Sequence, residues 1–283
     1  MSIKIGLLHS TIRGDEKLII EACKTRGVDL VLIDIREQIF SKKSWTHKID
    51  VAIERSVSTV KGMYAVDFLE SIGIPVINSS AVGRVCNDKF LTSLVLEKNN
   101  LATIPFGMAF SLETMEELID NLGGYPVVVK PTEGSWGRLL AKINDKDALE
   151  AVLDHKNVLG SPEHKAYYVQ KYIDKKGRDI RAFVVDGETI CAIYRDSTHW
   201  ITNTARGGKA SNCPVTTELS ELCRKASSAT GGGILAMDVV ESESGLMINE
   251  INHTMEFKNS EEPTGVSISG AIVEYAVKKV RSK

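Results

Sequence analysis

The sequence LAMDVVESESGLMINEIN occupies residues 235–252 and holds two apolar runs, 235–240 and 246–251, separated by a polar turn at 242–245. Runs of this length on either side of turn residues predict two antiparallel strands. Glu250 and Asn252 are two residues apart, so they project from one face of their strand, and the hairpin brings that face beside Asp238. Two carboxylates and an amide oxygen suit Mg²⁺, which takes its remaining ligands from water and substrate phosphates. The alternative is a group of acidic edge residues that face solvent.

Strands also dominate the residues before this hairpin. Apolar runs at 167–173, 180–185 and 189–194 predict three strands, and Asp186-Gly187 between the last two is a strong signal for a two-residue hairpin turn. A helix over 218–230 precedes the quoted stretch, and an amphipathic helix over 270–280 closes the chain. We therefore predict an antiparallel sheet with helices for this part of the chain.

A second hairpin is predicted in the middle of the chain. Short apolar runs at 127–130 and 139–142 flank PTEGSWGR, residues 131–138. This loop is not a P-loop, because the G-x-x-x-x-G-K-[ST] pattern is absent and a strand rather than a helix follows. Before the hairpin, one helical run reaches Asn99, and a second helix is predicted to begin at a capping box of Thr114 and Glu117 and to end at Gly123-Gly124.

The first 80 residues alternate apolar runs at 3–8, 28–33, 51–53 and 74–77 with helical stretches at 16–24 and 62–71. This alternation predicts a small parallel α/β domain. The turn after the first run, HSTIRG at 9–14, lacks the glycine spacing of a dinucleotide site. That absence argues against a nicotinamide-dependent oxidoreductase. The total of 283 residues suggests two domains or three small ones.

Composition excludes several classes of protein. With 43% apolar and 25% charged residues and a net charge of −2, the chain is an ordinary globular protein without an electrostatic drive toward nucleic acid or anionic membranes. No apolar run is long enough to span a bilayer and no signal peptide is visible, so a cytoplasmic location is expected. The five cysteines are odd in number and never form C-x-x-C, which predicts reduced, buried thiols.

Cationic residues recur at the ends of predicted strands and in loops. Beside glycines and candidate metal ligands they favour polyphosphate binding, since phosphate oxygens need Lys or Arg donors, although each one alone is typical of a solvated surface. They are Lys89, Lys130, Arg138, Arg178, Arg181, Arg195 and Arg206. His199 fits a catalytic base and a loop residue equally well, and Trp200 is interpreted as loop packing. No Ser or Cys stands in a nucleophile motif.

Several motifs follow one another along the whole chain. They are Lys89, Lys130 before Gly134-Ser135-Trp136-Gly137-Arg138, Gln170-Lys171-Tyr172-Ile173, Gly177-Arg178-Asp179-Ile180-Arg181, Asn203-Thr204-Ala205-Arg206-Gly207-Gly208, Asp238 and Glu250-x-Asn252. In this order and spacing they resemble the RimK-like branch of the ATP-grasp superfamily. The resemblance implies an α/β fold with a Rossmann-like domain over 1–86, a first ATP-grasp lobe over 87–174, and a second lobe with the metal site over 175–283.

The resemblance also implies a role for each motif residue, with ATP and Mg²⁺ as cofactors. The cofactor-binding set is Lys89 and Lys130 on the phosphates, the loop of Gly134, Ser135, Trp136, Gly137 and Arg138 over the triphosphate, Gln170, Lys171, Tyr172 and Ile173 at the adenine, and Asp179 near the ribose. The metal ligands would be Asp238, Glu250 and Asn252. Arg195, Asn203 and Arg206 would act in catalysis and, with Thr204, Asn259 and Ser260, bind substrate. Lys171 departs from the family, in which a glutamate commonly stands at this position.

Within this branch the chain resembles ligases of lysine biosynthesis that join α-aminoadipate to LysW, a small acidic amino-group carrier protein. The implied chemistry is an acyl phosphate on the carrier's C-terminal glutamate, displaced by the α-amine, in an enzyme that is expected to be a homo-oligomer. We expect alanine at Asp238 or Glu250 to abolish ADP release and leave the fold intact.

The amino-acid substrate is predicted from Asn259-Ser260, a few residues after the last metal ligand. In the resembling family, Asn followed by Ser or Thr marks aminoadipate ligases and Gly-Phe marks glutamate ligases; the alternative is that the two residues only form a turn. Other functions kept open are a glutamate–LysW ligase of arginine biosynthesis, an enzyme that uses both amino acids, and a catalytically silent nucleotide-binding regulator. The intact metal ligands argue against the last of these.

Overall fold

The computed structural model describes residues 2–134, 138–175, 177–202 and 208–282. Over these residues the chain forms three β-sheets and nine α-helices, the predicted α/β class. The strands are β1 (Lys4–His9), β2 (Asp29–Asp34), β3 (Val51–Glu54), β4 (Val76–Ile77), β5 (Phe106–Ala109), β6 (Val127–Lys130), β7 (Ala141–Ile143), β8 (Tyr167–Lys171), β9 (Arg178–Val185), β10 (Glu188–Asp196), β11 (Lys209–Cys213), β12 (Ile234–Ser242) and β13 (Gly245–Asn252). The helices are α1 (Gly14–Thr25), α2 (Thr59–Ser71), α3 (Ser80–Asn87), α4 (Lys89–Lys98), α5 (Leu112–Asn121), α6 (Lys146–Leu159), α7 (Thr217–Thr230), α8 (Glu261–Thr264) and α9 (Ile268–Arg281).

The N-terminal sheet is parallel, with strand order β2-β1-β3-β4. Both faces are covered, which is why its strands read as nearly continuous apolar runs rather than as alternating ones. Ile5 and Leu7 of β1 are fully buried on one face, and Leu8 is buried on the other. The four strands and two helices predicted for this region are confirmed, apart from end positions.

The middle sheet has the order β5-β8-β6-β7 and is antiparallel. Helices α5 and α6 pack against it through Met115, Ile119, Leu149 and Leu153. The predicted capping box of α5 is wrong: Ser111 is the N-cap, and its Oγ accepts a hydrogen bond from the backbone N–H of Thr114 at 3.3 Å. The Thr114 hydroxyl can take the place of the usual Glu in such a box, so the helix begins earlier than the Thr-x-x-Glu pattern suggested.

The C-terminal sheet has the order β11-β10-β9-β12-β13, and all its pairings are antiparallel. The predicted turn between β9 and β10 is present, with φ of 53° at Asp186 and 82° at Gly187. Positive φ at both central residues is the geometry of a two-residue hairpin and explains why an Asp-Gly pair stands there. The five cysteines are free and buried, as predicted.

The N-terminal and C-terminal sheets share one hydrophobic core. Helix α9 packs on α1, and the buried side chains Ile5, Phe183, Ala236 and Ile272 belong to the same apolar cluster. Asn78, just after β4, adds polar contacts: its Nδ2 donates to the carbonyls of Ile234 and His253, and its Oδ1 accepts from the Ile234 N–H. This packing fixes the loop after β13 against the first domain. Within the described part of the chain, no helix is long and apolar enough to cross a membrane.

Candidate active site

Two neighbouring cavities meet at the strand ends that carry the predicted metal ligands. We call the first the inter-sheet cavity, because the middle and C-terminal sheets line it with residues such as Val128, Gln170 and Asp238. The second cavity opens on the N-terminal domain and is lined by Arg13, Ser56 and the loop after β13. Five lining residues are common to both cavities. They are Lys89, Gly134, Arg181, Glu250 and Asn252.

The predicted metal ligands all line the inter-sheet cavity, and Glu250 and Asn252 also line the second cavity. In the ladder between β12 and β13, Asp238 pairs with Glu250 and Ala236 pairs with Asn252. The chain thus offers two carboxylates and one amide to a single space, which is the hard-oxygen donor set that Mg²⁺ takes from a protein. Asn252 Nδ2 is buried and has no hydrogen-bond partner among the described residues. The residues present therefore fit a magnesium ion whose other ligands come from phosphate and water.

Asp238 is buried and belongs to an ion-pair network. Arg181 donates to its two oxygens at 2.8 and 3.0 Å, and Arg195 Nη2 lies 3.0 Å from Asp238 Oδ2. Burial alone would raise the pKa of Asp238, but the two guanidinium groups outweigh it and hold the pKa well below its usual range. The carboxylate is therefore ionised near neutral pH, and a cation at this site would share its oxygens with the two arginines.

Asp179, predicted near the ribose, is part of the same network. It is buried, and Arg195 donates to both of its oxygens at 2.7 and 2.8 Å. Thr202 Oγ1 donates to Asp179 Oδ2, and Lys175 Nζ lies 3.4 Å away from that oxygen. Asp179 lines the inter-sheet cavity, but its oxygens orient Arg195. Arg195 in turn bridges Asp179 and Asp238, so it connects a proposed metal ligand to the wall of the cavity.

The two predicted phosphate lysines both line the inter-sheet cavity. Lys89 Nζ donates to the Gly134 carbonyl at 2.7 Å and lies 3.4 Å from Glu250 Oε1. Lys130 Nζ donates to Gln170 Oε1 at 2.5 Å and to Asn249 Oδ1 at 2.8 Å. Burial lowers the pKa of Lys130 to about 7, although Glu250 opposes the shift. A phosphate in the cavity would restore the charge of this lysine, because a nearby anion favours the ammonium form.

The predicted adenine segment forms part of the wall of the inter-sheet cavity. Gln170, Lys171, Tyr172 and Ile173 all line it, and Lys142 Nζ lies 3.7 Å from the centre of the Tyr172 ring. Gln170 is buried, and its Oε1 accepts from Lys130 Nζ. Trp200 also lines this cavity and packs edge-on against Tyr172. His199 lies outside it and stacks on Trp200.

Some predicted site residues are not brought to the cavities. Arg138 is exposed and lines neither of them. Asn259 is exposed and Ser260 is buried in a turn, where its N–H donates to the Phe257 carbonyl at 2.8 Å; neither residue lines either cavity. Six predicted residues lie outside the described residues. They are Ser135, Trp136, Gly137, Asn203, Thr204 and Arg206.

Other residues at the site were not predicted from the sequence. Asn249 should face away from Glu250 in a regular strand, but a register shift between Asp238 and Val239 places its amide against Lys130. Arg13 and Glu256 are far apart in the sequence and line the second cavity together. A bulge and a long-range contact leave no local pattern. The glycine and turn residues of the sequence do not predict the bulge or the long-range contact either.

Comparison with known proteins agrees with this geometry. Residues 86–276 match the RimK-like ATP-grasp domain, and residues 5–85 match the LysX preATP-grasp domain. The α-aminoadipate–LysW ligase LysX of Saccharolobus solfataricus is 33% identical, over 95% of this chain and 99% of its own length. The glutamate–LysW ligase ArgX of Sulfurisphaera tokodaii is also 33% identical, over 96% of this chain and 98% of its own length.

A solved structure supports the same fold. The crystal structure of a RimK domain ATP-grasp protein from Sphaerobacter thermophilus superposes with a TM-score of 0.81 at 25% sequence identity, and the match covers 97% of this chain and 99% of that one. The predicted Rossmann-like domain followed by a two-lobed ATP-grasp fold is thereby confirmed. The chain belongs to the RimK-like ATP-grasp family and is an ATP- and Mg²⁺-dependent ligase that forms carbon–nitrogen bonds.

Proposed function

We propose that this enzyme joins the α-amino group of α-aminoadipate to the C-terminal glutamate side chain of the carrier protein LysW, in lysine biosynthesis. The observation that carries the proposal is the meeting of two cavities at Glu250 and Asn252, beside Asp238 in the inter-sheet cavity. ATP would occupy the inter-sheet cavity, and the second cavity would take the amino acid. The relatives named as LysW ligases match nearly the whole chain, which supports the carrier as partner.

The mechanism that we propose follows from the charges. Attack of a carboxylate on the γ-phosphate brings two anions together, so positive charge must be in place beforehand. A magnesium ion held by Asp238, Glu250 and Asn252 would supply part of it. Lys89 and Lys130 would bind phosphate oxygens, and Arg195, with Asn203 and Arg206, would neutralise the acyl phosphate. Loop residues Ser135 to Arg138 would exclude water from the intermediate until the amine displaces phosphate.

Aminoadipate is proposed over glutamate because Asn259-Ser260 carries the pair that marks aminoadipate ligases. Since neither residue lines the second cavity, they would act through the loop that ends at Lys258 rather than by direct contact. A glutamate–LysW ligase is the second candidate, because ArgX relatives match this chain at the same 33% identity as LysX relatives. The two amino acids differ by one methylene, which is worth about 10- to 200-fold in a pocket.

The experiment that tests the proposal measures ADP release with purified LysW, ATP, Mg²⁺ and each amino acid in turn. We expect release that requires the carrier and is faster with aminoadipate than with glutamate. Glu250→Gln is the matched inactive control. ADP release that is independent of LysW would contradict the assignment of LysW as the carrier. Faster release with glutamate would contradict aminoadipate as the preferred amino acid.

A further inference from the structure

A cation and an anion face each other in the second cavity. Arg13 Nη1 lies 3.4 Å from Glu256 Oε1, and the side chains are 24% and 40% exposed. Arg13 belongs to the N-terminal domain, just before α1, whereas Glu256 follows β13. The pair therefore spans the opening between the first domain and the C-terminal lobe.

Arg13 is held in place by a buried carboxylate rather than by Glu256. Glu16 is fully buried, and its oxygens accept from Arg13 Nε at 3.1 Å and from Nη2 at 3.0 Å. Arg55, also buried, donates to the same carboxylate at 3.0 Å. Because one edge of the planar guanidinium is fixed on Glu16, its Nη1 side is presented to the cavity with little loss of side-chain entropy.

Glu256 is held in place through its backbone neighbours. Asp15 Oδ1 accepts from the N–H groups of Phe257 and Lys258 at 2.6 and 2.7 Å. Arg55 Nη1 donates to the Met255 carbonyl at 2.7 Å. The same few residues of the first domain thus fix both Arg13 and the loop that carries Glu256. The guanidinium of Arg13 and the backbone that carries Glu256 are therefore both fixed by the fold.

The remaining charged residues that line the second cavity belong to ion pairs around the predicted metal ligands. Lys89 lies beside Glu250, and Arg181 is bound to Asp238. Of the described charged residues of this lining, Arg13 and Glu256 are the two that pair with each other.

We propose that Arg13 binds the α-carboxylate and Glu256 the α-ammonium group of the incoming amino acid. This inference rests on the proposed function and assigns the residues that recognise its amino-acid substrate. In an α-amino acid the two charged groups are attached to one carbon, so their partners must be close together, as Arg13 and Glu256 are. An ion pair that is long and half exposed contributes little to stability, and the substrate replaces it with two pairs of the same charges.

The test compares steady-state kinetics of wild type, Arg13→Gln and Glu256→Gln, with LysW and the amino acid that wild type prefers. Each variant should raise the KM for the amino acid about 10- to 100-fold, the equivalent of a lost charge-assisted hydrogen bond. The KM for ATP should not change. Arg36→Gln is the matched control, because Arg36 forms an exposed ion pair with Asp34 in the same domain. The half-exposed Glu256 keeps the test valid if Arg13→Gln fails to fold.

Norvaline keeps the α-amino acid group and lacks the distal carboxylate. Its inhibition therefore distinguishes recognition of the α-amino acid group by Arg13 and Glu256 from recognition of the distal carboxylate by these residues. Norvaline should inhibit wild type competitively and inhibit Arg13→Gln less strongly. Inhibition by δ-aminovalerate should be equally strong in wild type and in Arg13→Gln. An unchanged KM for the amino acid in both variants, or weaker inhibition of Arg13→Gln by δ-aminovalerate instead, would overturn the inference and leave the proposed function standing. If the wild-type enzyme releases no ADP with LysW and either amino acid, both this inference and the proposed function are overturned.

Discussion

Asp238 and Glu250 lie directly opposite each other in the ladder of β12 and β13, but different partners compensate their charges. Asp238 is bound by two arginines from neighbouring strands of the same sheet, whereas Lys89 of the first lobe lies 3.4 Å from Glu250. Glu250 is also the more exposed of the two, at 23% against 7% of the side chain. The two carboxylates therefore share a proposed ligand role and differ in what they contribute to the fold.

This difference predicts unequal stability for two inactive variants. Asp238→Ala leaves Arg181 and the buried Arg195 without a shared counter-ion, which should cost about 3–5 kcal/mol of the free energy of unfolding. Glu250→Ala should cost less, because Glu250 is partly exposed and Lys89 keeps its hydrogen bond to the Gly134 carbonyl. Urea denaturation of both variants measures the difference. The sequence-based expectation that either alanine leaves the fold intact is therefore retained for Glu250 and withdrawn for Asp238. Equal stability of the two variants would contradict the proposed difference between their ion pairs.

The buried position of Lys130 predicts a pH dependence of ATP binding. Because burial lowers its pKa to about 7, the free enzyme loses this charge as pH rises through neutrality, while the phosphates bind the charged form. Affinity for ATP should therefore be highest below about pH 7 and fall by up to about tenfold per pH unit above it. Calorimetric titration of ATP into wild type and Lys130→Arg measures this. The arginine stays charged, so its profile should be flat; parallel profiles for the two proteins would show that Lys130 is not the titrating group.

Exchange of Asn259-Ser260 for Gly-Phe should shift the preference from aminoadipate toward glutamate. Ser260 is 3% exposed and its N–H closes a turn on Phe257, so a phenylalanine must displace the loop that carries Glu256. The ratio of kcat/KM for the two amino acids is the measurement. Since one methylene is worth about 1–3 kcal/mol, a change of that ratio by about tenfold or more is expected. A ratio identical to that of wild type would mean that the pair forms only a turn.

Binding of the acidic carrier should weaken as salt rises, because long-range attraction between a polyanionic partner and clustered cations is screened. The dissociation constant of the enzyme–LysW complex, measured at low and high salt by surface-based binding, tests this. Aminoadipate binding, which depends on short contacts, provides the comparison. A carrier affinity that is flat over the same range would contradict electrostatic recruitment.

Local patterns in the sequence predicted the elements that carry their own signal. The Asp186-Gly187 turn, the alternation of Glu250 and Asn252, and the amphipathic α9 depend on neighbouring residues alone, and the structure has them as expected. The ATP-binding motifs were recognised through their order along the chain. Helices α3 and α6 were not predicted, although Ser79 and Asp145 cap them.

The second cavity could not be predicted in the same way. Arg13 and Glu256 meet because Asp15 and Arg55 bind the backbone of a loop that is 242 and 200 residues away in the sequence, while Glu16 binds Arg13 and Arg55. No periodicity records such contacts. The role of Asp179 is a similar case, since only the fold shows that its oxygens are occupied by Arg195. Sequence patterns predicted the residues that are proposed to bind ATP. Tertiary packing, in contrast, determines which residues lie where the amino acid is proposed to bind.

The most direct test of the account is the intact mass of LysW after incubation with enzyme, ATP, Mg²⁺ and equal concentrations of aminoadipate and glutamate. We predict that the carrier gains the mass of one aminoadipate less one water, and that this adduct exceeds the glutamate adduct. The adduct should be absent without ATP and with Glu250→Gln. A carrier that remains unmodified while ATP is hydrolysed, or one that carries mainly glutamate, would contradict the account.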